Sequence, residues 1–226
     1  MNITQLKASR ALWLRRERFR RRRYRWYKHK SKRNLADRRR LRGKWWNLYV
    51  KARNQRVARD RQIAAYVRKT KPKPSARAKA VAYAKSHVGQ VESPPGSNRG
   101  GGIIGKCQIM FLGRSGYAWC GCFVGAVMRH VGVQGITSRI AGVAGIEDDA
   151  RANRAPFRGW SDRVTERTLP GELVCIGRKG QHVEMVVKGY ADGSADTVAG
   201  NVSNGVRVQR RSAAQIRGIA HINYPG

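Results

Sequence analysis

The sequence predicts an α+β protein in two parts: a basic helical arm, then a domain in which helices precede an antiparallel sheet. Three observations carry this reading. Proline is absent from Ile3 to Thr70, where the strong helix formers Ala, Leu, Arg, Lys and Gln dominate. Of the 25 glycines, only Gly43 precedes Gly89. After Pro170-Gly171 the apolar pattern shifts to a period of two, in short segments separated by Gly, Asp and Asn.

Charge follows the same division. The 226 residues carry 48 Lys and Arg against 13 Asp and Glu, a formal +35, with 41% hydrophobic residues. Residues 1–74 hold 28 of those basic side chains and 3 of the acidic ones. Such an excess goes beyond what solubility requires and implies an anionic polymer or surface as partner. The hydrophobic content supports one modest core.

The arm, residues 1–70, reads as helix. Leu41, Trp45, Leu48 and Ala52 form a narrow apolar stripe that Ile63 and Tyr66 or Val67 extend. A break near Ser31 to Asn34 allows a helical hairpin; without it the arm is a rod. The run RERFRRRRYRWYKHKSKR (16–33) interleaves guanidinium groups with aromatic rings, a combination that binds phosphates and stacks on bases or sits at a lipid interface. Anionic envelope polymers or lipids are the favoured partners, and nucleic acid the less favoured one. A solvated face whose tryptophans only close a hairpin core is the plainer alternative. Residues 71–75, with Lys71-Pro72-Lys73-Pro74, form a stiff linker, because each proline excludes helix at the residue before it.

The second domain, residues 76–226, opens with a helix capped by Ser75 and stopped by Gly89. Residues 90–106 are turn-rich. A second helix is predicted from about Trp119 to His130, with Val124, Val127 and Val131 apolar, and weaker helical character returns over 143–153. ELVCIG, HVEMVV, DTVAGN, VRVQRR and AHINY then read as strands.

Candidate chemistry lies in this domain. Cys120 opens a predicted helix, where unpaired backbone N–H groups and the helix dipole favour negative charge on sulfur. His182 opens a strand after the turn GRKGQ, placed to take a proton from the cysteine and return it to a leaving amine. Asn201 ends the next strand and is expected to hold the imidazole through its carboxamide. A cysteine on a helix, then a histidine and an asparagine on strands, is the papain-like arrangement. Trp119 and Tyr117 beside the nucleophile are expected to line a cleft. Asn98 contacts substrate or, more simply, stabilises its loop. Glu184 shares a strand face with His182 and either meets a cationic substrate group, tunes the imidazole, or is a plain sheet-surface carboxylate.

The other thiols, Cys107, Cys122 and Cys175, read as reduced packing groups, since four cysteines are too few for a disulfide scaffold. The C-x-C spacing lacks the two-residue gap of zinc ribbons, so no metal and no cofactor is expected. No run approaches the 18 apolar residues of a membrane span, and the N-terminus lacks the apolar core of a secretory signal. The expectation is a chain made in the cytoplasm of a bacterial host.

From Ala76 onward the sequence resembles the CHAP family, the cysteine, histidine-dependent amidohydrolase/peptidase domains common in phage endolysins and bacterial wall hydrolases. The resemblance rests on five segments in order: AVAYAKSHVGQVESPPGSN (80–98), GYAWCGCFV (116–124), LPGELVCI (169–176), QHVEMVV (181–187) and VAGNVSNGV (198–206). It implies a papain-like fold, Cys120 as nucleophile, His182 as base, and hydrolysis of an amide bond in peptidoglycan. The chain departs from the family pattern at Ala199, where many members carry an acidic residue, and at Glu184, where many carry Gly. The family's calcium-binding form uses an aspartate-rich loop, whereas residues 90–118 contain Glu92 and no Asp. The implied protein is a monomeric endolysin, free or virion-associated, held on the envelope by its arm. The alternative is a polyanion- or membrane-binding protein with a catalytically silent CHAP-like fold.

Overall fold

The computed structural model describes residues 2–29, 35–70 and 74–225, and the chain divides into two compact units, Met1–Lys73 and Pro74–Gly226.

The first unit is a pair of helices, α1 (Ile3–His29) and α2 (Leu35–Thr70). They run antiparallel. Near their open end Arg10 pairs with Asp60, and Arg56 reaches Glu17 at 2.6 Å and Asp60 at 2.9 Å. Toward the other end Arg20 donates to the Leu48 carbonyl at 2.8 Å, Phe19 meets Trp45 edge-on at 5.9 Å, and Tyr24 meets Trp46 at 5.2 Å. Among the described residues Leu6 and Ala52 are the buried apolar side chains of this unit, so rings and ion pairs supply most of the seam. The break expected at Ser31–Asn34, like residues 71–73 of the linker, lies outside the described residues. No described helix is long and apolar enough to cross a membrane.

The second unit is α+β, as its sequence pattern predicts. Four helices come first: α3 (Ala76–Ser86), α4 (Gly102–Leu112), α5 (Cys120–His130) and α6 (Val143–Arg151). Six strands follow: β1 (Phe157–Ser161), β2 (Leu173–Ile176), β3 (His182–Gly189), β4 (Ala195–Val202), β5 (Gly205–Arg211) and β6 (Ile216–Ile222). They form one antiparallel sheet in the order β1-β6-β2-β3-β4-β5. Ser75 caps α3 by accepting from the Ala78 N–H at 3.2 Å.

Helix α5 is the centre of the domain. Its residues from Cys120 to Met128 are all buried, because it packs on β3 and β4 on one side and on α3 and α4 on others. Val124, Val127 and Met128 share a core with Val183, Met185 and Val198. The opposite sheet face carries a smaller cluster that includes Val174, Ile176, Val186 and Ile219. Gly121 is required by this packing, since a Cβ there would stand 2.3 Å from the Ile140 carbonyl oxygen.

Two elements were not expected from the sequence. Helix α4 is hidden by Gly102 and Gly105 within a glycine-rich stretch, yet it buries Ile103, Ile104, Cys107, Gln108 and Phe111 on one face. Strand β1 is short, largely half-exposed, and held through its pairing with β6.

Candidate active site

Cys120 is the first residue of α5, preceded by Trp119, whose side chain does not cap the helix. The first backbone N–H groups of α5 therefore lack a side-chain acceptor from the N-cap position, leaving the electropositive end of the helix beside the sulfur. His182 is the first residue of β3, at the end of the sheet, where its ring meets two groups at once. One is the Cys120 thiol, whose interaction with the imidazole raises the pKa of the ring. The other is Glu184, whose Oε1 lies 3.2 Å from His182 Nε2. That second contact is an ion pair at short range rather than an aligned hydrogen bond, since the Nε2–H vector misses the oxygen. Burial alone would lower the pKa of His182, but Cys120 and Glu184 outweigh it and raise the pKa to about 9. Both contacts favour the protonated ring.

Glu184 is fully buried and accepts from three side chains. Besides facing His182 it takes hydrogen bonds from Thr197 Oγ1 at 2.6 Å, Gln209 Nε2 at 2.6 Å and Arg211 at 2.9 Å from Nε and 2.5 Å from Nη2. Burial by itself would raise the pKa of this carboxyl, yet the neighbouring His182 ring and the bonds from Arg211 and Thr197 bring it down to about 2. Strands β4 and β5 thus hold a permanent anion against the imidazole. The possibility of a substrate contact at Glu184 gives way here: the carboxylate is enclosed by protein donors.

Asn201 is placed differently from the sequence expectation. Between Ala199 and Val202 the β4–β5 register shifts, and Asn201 adopts a left-handed φ of 62°. The two-residue alternation on which the expectation rested is broken there. In the amide orientation that satisfies its surroundings, Asn201 donates to Glu92 Oε1 at 3.1 Å and Asn98 Oδ1 at 3.2 Å and accepts from the Trp119 N–H at 3.3 Å. It fixes Trp119, the residue before Cys120. The group facing His182 Nε2 is Glu184.

Trp119 is also corrected. It is fully buried and donates through Nε1 to Glu92 at 2.9 Å, so it is a core anchor for the start of α5 rather than part of a cleft wall. Gly200 leaves the room it needs, because a Cβ there would meet the indole ring at 2.3 Å. Asn98 takes the loop role: its N–H donates to Glu92 Oε2 at 2.9 Å and its carbonyl accepts from Gln108 Nε2 at 2.7 Å. Tyr117 is exposed, with Arg114 over its ring at 4.7 Å, and is free to meet a substrate.

Sequence reasoning missed two residues. Glu92, buried, joins Trp119, Asn98 and Asn201. Gln108, also buried, accepts from the Gly116 and Tyr117 N–H groups at 2.9 and 3.0 Å and so staples the loop that leads into Cys120. The only sequence signal for either is a polar side chain in an otherwise apolar or turn-rich setting.

A groove of about 400 Å³ is bordered by His182, Asn201, Val202, Arg211, Gln181 and Gln215, and Cys120 is not among its lining residues. A slightly larger cavity of about 430 Å³, around Gly135, Asn153 and Tyr224, touches none of the site residues. The remaining thiols are buried among apolar groups, which pushes Cys107 up to about 12, Cys122 up to about 11, and Cys175 higher still. Among the described residues no three His, Cys, Asp or Glu side chains cluster as metal ligands. The arrangement of nucleophile, imidazole and buried carboxylate is suited to acyl transfer.

Comparison with known proteins finds no family model that matches the chain, and no curated protein or solved structure that matches it.

Proposed function

We propose that residues 74–225 are a cysteine-dependent amide hydrolase of CHAP-like, papain-like type that cuts an amide bond of bacterial peptidoglycan, in the manner of an endolysin. One observation carries the chemistry: a cysteine at an uncapped helix start interacts with a histidine whose Nε2 faces a buried carboxylate. The choice of substrate rests on the five segments that resemble the CHAP family.

In this reading the Cys120 sulfur attacks the amide carbonyl carbon, forming a C–S bond while the carbonyl electrons move to oxygen. In this reading the N-terminal N–H groups of α5 donate to that oxyanion. As the C–N bond breaks, the His182 imidazolium gives its proton to the leaving amine. The neutral imidazole then takes a proton from water, the resulting hydroxide attacks the thioester, and the sulfur leaves with the carboxylic acid as second product. Glu184 touches none of the reacting atoms; it positions the ring and keeps it basic. Tyr117 and the groove beside His182 and Asn201 receive the substrate chain.

Clearance of a peptidoglycan suspension tests the proposal. Cys120→Ala is expected to reduce the rate by about a thousandfold or more while leaving the fold intact. Undiminished clearance would remove the nucleophile assignment. Mass spectrometry of the digest then identifies the bond, because a new alanine N-terminus and a new cross-bridge terminus differ in mass.

A further inference from the structure

We propose that the helical arm carries a binding site for single-stranded nucleic acid, centred on the rings of Tyr24, Trp46 and Tyr49 and rimmed by Arg21, Arg25, Lys28 and Arg53. The hydrolase reading does not use this site and does not depend on it.

The site lies between the two helices of the first unit, as a pocket of about 390 Å³ lined by those seven residues. Helical spacing puts them together. On α1, residues 21, 24, 25 and 28 fall on one face; on α2, residues 46, 49 and 53 do the same. Trp46 stands between the other two rings, with centroids 5.2 Å from Tyr24 and 5.4 Å from Tyr49. It is nevertheless 46% exposed, a large aromatic surface left facing solvent. The four cations around it are exposed and join no ion pair among the described residues; Glu17 and Asp60, two of the arm's three acidic residues, are engaged with Arg10 and Arg56. A second groove, with Phe19 and Trp45 among Arg15, Arg16 and Arg20, repeats the combination of ring and guanidinium on the same hairpin.

The chemistry selects among polyanions. A wall polymer of phosphates satisfies the guanidinium groups but offers the ring faces nothing to stack on. A lipid surface wants a continuous apolar face, whereas Arg and Lys are distributed around both helices. In duplex nucleic acid the bases are already stacked on one another. Unpaired bases with a phosphate between each pair match rings flanked by cations.

Fluorescence anisotropy of a labelled oligothymidylate with the full chain reads the proposal, with polyphosphate, a duplex and phosphatidylglycerol vesicles as competitors. The expected order is tightest binding to oligothymidylate, with affinity that falls steeply as salt rises. Trp46→Ala is expected to weaken oligothymidylate binding about tenfold and polyphosphate binding less than about twofold, because stacking is lost and charge is not. Trp46→Phe keeps a ring and is expected to stay within about threefold of the wild type. Arg25→Ala with Arg53→Ala is expected to weaken both polymers. Equal losses on the two polymers after Trp46→Ala, no loss at all, or tighter binding to vesicles or duplex would overturn the site. Should Trp46→Ala disturb the hairpin itself, photocrosslinking of a 4-thiothymidine oligonucleotide to the wild-type chain decides: adducts on Tyr24, Trp46 or Tyr49 support the site, and adducts on none of the three overturn it.

Discussion

Replacing Glu184 by Gln keeps the shape of the side chain and removes the charge on which His182 depends. The carboxyl has a pKa of about 2 against an ordinary 4.5. By linkage that difference corresponds to on the order of 3 kcal/mol of stability at neutral pH, and full burial means solvent does not screen it away. Because the pKa is depressed, this stability is present above about 4.5 and is lost as the pH falls toward 2. The raised pKa of His182 has the opposite sign: its stabilisation is complete below 6.5 and lost as the pH rises through about 9. Both values report the same contact, so they are not added. Urea unfolding at pH 7 should therefore show Glu184→Gln less stable by about 3 kcal/mol, a size in keeping with breaking one side of a buried ion pair. The gap should narrow in acid. In activity, loss of the negative neighbour lowers the basicity of the ring, so the alkaline limb of the rate profile should move from near 9 toward neutral by about one pH unit or more. A variant with the alkaline limb and the unfolding free energy of the wild type would refute the assignment of Glu184 as the residue that positions His182.

Two further outcomes follow from packing. Iodoacetamide at neutral pH should modify Cys120 first, since burial pushes the other three thiols far above neutrality; peptide mapping that finds Cys107, Cys122 or Cys175 alkylated ahead of it would contradict the site. Gly200→Ala should cost about 1–3 kcal/mol or more, because the new methyl meets the Trp119 ring at 2.3 Å and Phe123 Cβ at 2.8 Å. If the domain is the proposed hydrolase, the same variant should slow its turnover by displacing Trp119, the residue before Cys120, and an unchanged urea midpoint would argue against the close approach.

Much of the domain was legible because its signals are local. Helix α5 announces itself through Val124, Val127 and Val131, with Gly132 as its stop, and the strands from β2 to β5 through alternation. Helix α4 was not legible, since its stability comes from a buried face formed after the domain closes, against the bias of Gly102 and Gly105. The site was half legible. Cys120 and His182 sit at the first residues of their elements, positions that a boundary reading finds. The roles of Trp119 and Asn201 depend on Glu92, which is 27 positions from Trp119 and far from Asn201 in sequence, and no spacing rule encodes that contact.

The acidic partner of the imidazole illustrates how a sheet relaxes a sequence requirement. In the CHAP family that the sequence resembles, many members carry an acid two residues before the position of Asn201, where this chain has Ala199. Register makes the two strands interchangeable for this purpose. Met185 pairs with Val198, so one step along the antiparallel ladder brings Glu184 level with Ala199 on the same sheet face. In the proposed hydrolase, His182 needs a carboxylate at a point in space, and either strand can supply it. The exchange has a condition: an anion with no exposed surface needs its own donors, and Thr197, Gln209 and Arg211 provide them from β4 and β5. Those three side chains are therefore part of the same requirement as Glu184. A reading of β4 alone finds no acid beside Asn201, whereas β3 supplies a carboxylate level with Ala199 across one ladder.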